Sequence, residues 1–195
     1  MEKNTFLKEK IAASVALKQQ VMNSEALLAT VQEVANVMNA CFANDGKVLW
    51  CGNGGSAADA QHLAAEFSGR FYYDRPPLYS EALHVNTSYL TAVANDYSYE
   101  EIYARMVRAM GRKGDVLVGL STSGNSGNVV KAFEAARELG MTTVGMTGES
   151  GGKMASLSEY LINIPSTDTP RIQECHMLLG HSLCELVEMT QFPKG

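Results

Sequence analysis

The 195-residue sequence predicts an α/β fold, a doubly wound parallel five-stranded sheet with N-terminal helices. Two observations predict it. After residue 46, five short apolar runs recur, each ending in turn or polar residues, with helical segments between most of them. Alternation of that kind belongs to a parallel sheet covered by helices on both faces. Ahead of them, residues 1–44 carry the apolar spacing of helices.

Taken in order, Leu7, Ile11 and Val15 mark the stripe of a first helix, and Leu28, Val31, Ala35, Met38 and Phe42 that of a second. Asn23-Ser24 ends one and caps the next, and Asp45-Gly46 stops the second. The strands are expected at "KVLWC", "EALHV", "DVLVGL", "TTVGMT" and "YLINI", and a last helix from about Arg171 to Phe192. Neither an internal repeat nor a linker divides the chain, so 1–195 reads as one domain whose helical segment 1–44 packs on the domain itself or on a neighbouring subunit.

Composition narrows the function. A formal charge of −5 argues against a sequence-independent nucleic-acid binder, which needs a basic face. Cys41, Cys51, Cys175 and Cys184 lack CxxC spacing and sit among apolar neighbours, as core thiols do in a reducing compartment. The charged N-terminus has no apolar signal region, and no uncharged run approaches the roughly 18 residues of a membrane span. The expectation is a cytoplasmic protein with neither nucleic acid nor membrane as partner.

Two polar loops follow expected strands, where open parallel sheets bind ligands. "GNGGS" (52–56) follows "KVLWC", and "STSGNSGN" (121–128) follows "DVLVGL". The second offers the hydroxyls of Ser121, Thr122, Ser123 and Ser126 at the start of a helix, where backbone N–H groups and the helix dipole hold a phosphate without a lysine. The same residues also serve as caps and turns, but two such loops on neighbouring strands favour the anion. GxGxxG and GxxxxGK[ST] are both absent, which points to the phosphate of a small metabolite.

His62 and Glu66 are i and i+4 on the helix after the first loop, with Asp59 one turn earlier. Such a pair ligates zinc or positions a carboxylate as a base, while any single member taken alone reads better as a solvated polar side chain or a hydrogen-bonded core histidine. On the last helix Gln173 and His181 stand eight residues apart, within about a quarter turn of each other. Gly180 beside His181 costs about 1 kcal/mol relative to alanine, so another backbone or a ligand is expected close by.

The stretches "CGNGGSAADAQHLAAEFSGRF", "AVANDYSYEEIYARMV", "GDVLVGLSTSGNSGNVVKA", "MTGESGGKM" and "TPRIQECHMLLGHSLCELVE" resemble the sedoheptulose-7-phosphate isomerase (phosphoheptose isomerase) family of the sugar isomerase (SIS) group. The resemblance implies a flavodoxin-like SIS fold and an enediol aldose–ketose isomerisation of D-sedoheptulose 7-phosphate for heptose biosynthesis. It implies substrate contacts at Asn53, Gly54, Gly55, Glu66, Asn95, Asp96, Ser121, Thr122, Ser123, Ser126 and Gln173, and Glu66 with His181 as the catalytic pair. It also implies one zinc per subunit on His62, Glu66, Gln173 and His181, in a homotetramer. The alternative is a SIS sugar-phosphate-binding module associating with the bacterial replication initiator. Such modules resemble this chain in both loops and the "RIQE" helix start but tend to lack the equivalents of Glu66 and His181.

Overall fold

A computed structural model describes residues 3–194. The elements run α1 (Lys3–Met22), α2 (Glu25–Ala43), β1 (Val48–Gly52), α3 (Gly55–Ser68), β2 (Ser80–Ala82) and α4 (Thr87–Asp96). They continue with α5 (Ile102–Met110), β3 (Val116–Ser121), α6 (Gly127–Glu138), β4 (Thr142–Thr147), β5 (Tyr160–Asn163) and α7 (Thr169–Gln191). Short 3-10 turns lie at Tyr99–Glu101 and Gly152–Met154.

The five strands form one sheet in the order β2-β1-β3-β4-β5, and every pairing is parallel. The chain enters at β1, steps outward to β2, then reverses to β3. That reversal opens a crevice at the carboxyl ends of β1 and β3. The loops after these two strands are the polar ones singled out by sequence.

Side-chain alternation divides the core into two layers. Val48 and Trp50 of β1 point to the face covered by α1, α2, α3 and α7, while Leu49 and Cys51 point to the face covered by α4, α5 and α6. β1 and β3 are buried along their whole length, as central parallel strands must be when helices cover both faces. The edge strand β2 is shorter than the run "EALHV", because only Ser80–Ala82 pairs with β1.

Ser24 caps α2 as expected, its Oγ accepting from the Leu27 amide at 3.4 Å. On α2 the inward stripe is Leu27, Val31, Val34, Ala35, Met38, Cys41 and Phe42, whereas Leu28 turns partly outward. α2 is long and apolar enough to cross a membrane by composition alone, yet this stripe is seated in the protein core. On α1 the expectation changes more. Leu17 and Val21 are the residues buried, and Leu7, Ile11 and Val15 are 56%, 63% and 55% exposed. All four cysteines are free and buried, and burial pushes the Cys41 thiol up to about 11.

Candidate active site

Between β1 and α3 the backbone turns through Gly54 at φ +56°, a left-handed conformation that favours glycine. α3 then starts at Gly55, where a Cβ would stand 2.6 Å from Gln173 Nε2. The missing side chain lets the Gln173 amide of α7 lie against the first turn of α3.

Further along, the same two helices cross. A Cβ on Gly180 would stand 2.6 Å from the Leu63 side chain, so the close approach anticipated beside His181 is α3 itself. The neighbours of these contact residues in sequence are His62 and His181, and the crossing brings their Nε2 atoms to 2.9 Å. Glu66 Oε1 lies 3.3 Å from His62 Nε2. Ligand atoms of His62, Glu66 and His181 all fall within 4.8 Å of one another, the one such cluster of three among the described residues.

Two neutral imidazole acceptors repel at that separation, so the contact requires a shared proton or a cation. Two nitrogens and a carboxylate oxygen suit a divalent transition metal. The His62 side chain is 47% exposed and that of Glu66 21%, so the cluster opens to a small ligand. The Phe71 ring lies 5.7 Å from that of His181, centroid to centroid. Asp59, one turn before His62, keeps its Oδ2 buried without a hydrogen-bond partner among the described residues. Burial raises its carboxyl pKa, opposed by the His62 charge.

The two loops are joined to each other. Asn53 and Asn128 exchange amide hydrogen bonds of 2.9 and 2.8 Å, and Tyr99 Oη donates to Asn53 Oδ1 at 3.2 Å. The Asn53 side chain therefore braces the crevice, and its partner there, Asn128, was not singled out by sequence. Its signal was weak, because an asparagine closing a Ser/Gly/Asn run reads as loop. Ser121 and Ser126 place their hydroxyls 2.9 Å apart, and Ser126, the N-cap of α6, makes no side-chain cap bond. Both hydroxyls thus stand at a helix start with capacity for an anion. The Thr122 carbonyl accepts from Gly148 N, fixing the loop against the end of β4, and Ser123 Oγ accepts from Asn125 N within the loop. Asn95 and Asp96 stand apart: exposed on the last turn of α4, they bond to each other at 2.9 Å, with no hydrogen bond to the loops or the histidines among the described residues.

This fold and these loops define a class, the SIS domain, and residues 11–148 match the family model of that description. Over most of its length the chain is also similar to particular enzymes of that class. The phosphoheptose isomerase of Aneurinibacillus thermoaerophilus is 49% identical over 97% of this chain and 96% of its own. The solved phosphoheptose isomerase of Neisseria gonorrhoeae superposes with a TM-score of 0.86 at 46% identity, covering 93% of this chain and 98% of that one. That of Francisella tularensis gives 0.93 at 34% identity, covering 97% and 100%. The chain belongs to the phosphoheptose isomerase family.

Proposed function

We propose that this chain converts D-sedoheptulose 7-phosphate to D-glycero-D-manno-heptose 7-phosphate, an aldose–ketose isomerisation through an enediol that supplies heptose precursors. The observation that carries the reading is the meeting of Glu66 with His62 and His181 where α3, the helix begun by the first polar loop, crosses α7. Ser121, Thr122, Ser123 and Ser126 hold the phosphate at the start of α6, where the helix dipole adds to their hydrogen bonds. Asn53, Gly54, Gly55 and Gln173 line the sugar, and Asn95 and Asp96 add contacts from α4.

Glu66 takes the proton from C1 of the ketose while His181 gives one to the C2 oxygen, forming the enediol. His181 then recovers a proton from the C1 oxygen, and Glu66 returns one to C2, leaving an aldehyde at C1. A positioned acid or base of this kind contributes about 10²–10⁴-fold. Zinc, one per subunit on His62, Glu66, Gln173 and His181, would supply a Lewis acid for the carbonyl. A ligated carboxylate is a weaker base, so the two roles of Glu66 compete, and chelation separates them. We read residues 1–195 as one SIS domain, acting in the cytoplasm as a homotetramer, a reading supported by four buried free thiols and by the apolar outer side of α1.

The test is purified protein with sedoheptulose 7-phosphate, assayed for aldoheptose 7-phosphate alongside elemental analysis. Turnover that falls on chelation and returns with zinc is expected. Absence of product contradicts the reaction, and full activity without metal removes zinc from it.

A further inference from the structure

Beyond the helix crossing lies a buried ion pair whose hydrogen bonds lead back to the reacting groups. The Arg75 and Glu188 side chains are 2% and 1% exposed, with Arg75 Nε donating to Glu188 Oε1 at 3.1 Å. Arg75 Nη2 donates to the Glu66 carbonyl at 2.7 Å, and Nη1 to the Phe67 carbonyl at 2.6 Å. Glu66, Phe67 and Ser68 are the last residues of α3, and terminal helix carbonyls have no partner within the helix. The guanidinium supplies a partner to the Glu66 carbonyl and a second one to the Phe67 carbonyl, which also accepts from the Leu78 amide, and places a positive charge at the negative end of the helix dipole.

The other half of the pair belongs to α7. Glu188 follows His181 by seven residues, two turns along the same face. Its carboxylate also accepts from the amides of Phe71 and Tyr72 at 3.0 and 2.8 Å. Burial raises the Glu188 pKa, but those two amides and Arg75 outweigh it and hold the carboxyl below its ordinary value. Phe71, tethered in this way, is the residue whose ring lies against His181.

We propose that Arg75 and Glu188 are a positioning pair that fixes the last turn of α3 against α7 and so sets Glu66 relative to His181. Neither residue touches substrate. The proposal rests on the isomerase reading for its effect on rate. A buried ion pair is a poor source of net stability, since well-packed apolar replacements are often neutral or better. Its distinguishing feature here is direction, because the fork ends on the backbone of the proposed base. Displacement of a reacting group by about 1 Å costs on the order of 10²-fold.

The experiment compares wild type with Arg75→Lys and with Arg75→Met/Glu188→Met. Lysine keeps the charge for Glu188 but cannot fork to it and to both carbonyls at once. The double variant removes the pair without stranding a buried charge. In each, kcat is expected to fall about 10- to 100-fold, with KM within about threefold of wild type because the phosphate loop is untouched. Amide exchange at residues 66–72 should accelerate, and the double variant, which strips partners from the Glu66 carbonyl and from the Phe71 and Tyr72 amides, should melt lower while staying folded at the assay temperature. A folded double variant with wild-type kcat overturns the proposal, and so does a loss that only follows the unfolded fraction. Should the double variant not fold, wild-type kcat in Arg75→Lys overturns it equally. The exchange measurement needs no sugar: a wild type that fails to turn over the ketose contradicts the isomerase reading, whereas unchanged exchange at 66–72 contradicts the pair's role.

Discussion

His176 shows how one residue is set by its surroundings. It lies on α7 between Gln173 and Gly180 and is fully buried. Its Nε2 stands 3.1 Å from the Thr147 carbonyl, to which it donates, and Nδ1 has no partner among the described residues. Burial lowers its pKa from 6.5 to about 4, against the opposing effect of the Thr147 bond. Between those two values the unfolded chain binds a proton that the folded chain refuses. Stability from this histidine is therefore fully present above pH 6.5 and is lost as pH falls toward 4. At about 1.4 kcal/mol for each pH unit, the loss is on the order of 3 kcal/mol. Its ring resonances should report a neutral imidazole at pH 5.5. The urea midpoint should fall more steeply from pH 7 to 4.5 in wild type than in His176→Gln, which keeps a donor for Thr147. Identical pH dependence in the two proteins contradicts the assignment.

At the scale of elements, periodicity identifies a helix more surely than it identifies what the helix meets. α2 shows this mildly: Leu27 replaced Leu28 on the inner stripe because the helix is rotated by its contacts with α7 and the sheet. α1 shows it fully. Its stripe of Leu7, Ile11 and Val15, with Phe6 and Met22, stays exposed, while Leu178 of α7 is also 43% exposed. Such an apolar surface calls for a partner, and the homotetramer of the proposed reading supplies one in a second copy of the chain. Light scattering at micromolar concentration should give four subunits, and Ile11→Glu/Val15→Glu should give smaller particles with unchanged circular dichroism. A wild-type monomer contradicts the assembly. In contrast, the crossing of α3 and α7 was half legible. A costly glycine beside His181 announced a close approach, but that Leu63 makes it depends on tertiary docking absent from any local pattern.

For the whole molecule, the sheet was legible because each strand is a short apolar run closed by turn residues, and the observed order β2-β1-β3-β4-β5 puts both polar loops at one crevice. The i, i+4 relation of His62 and Glu66 was legible for the same local reason. The 2.9 Å meeting of His62 with His181 was not, since 119 residues separate them. Arg75 was hidden too: within "YYDRPP" it reads as a solvated loop charge, and it is tertiary docking onto the end of α3 and onto Glu188 of α7 that buries it. The proposed isomerisation depends on proton transfer by Glu66 and His181. The measurement is single-turnover conversion of sedoheptulose 7-phosphate in D2O by wild type, Glu66→Gln and His181→Gln, with deuterium followed at the exchanging carbon. Wild type should form the aldoheptose with deuterium incorporated, and each folded variant should lose about 10²–10⁴-fold in rate. Near-normal rates in both variants would contradict the account, as would a wild type that binds the sugar phosphate without turning it over, the behaviour of a replication-initiator-associated binding module.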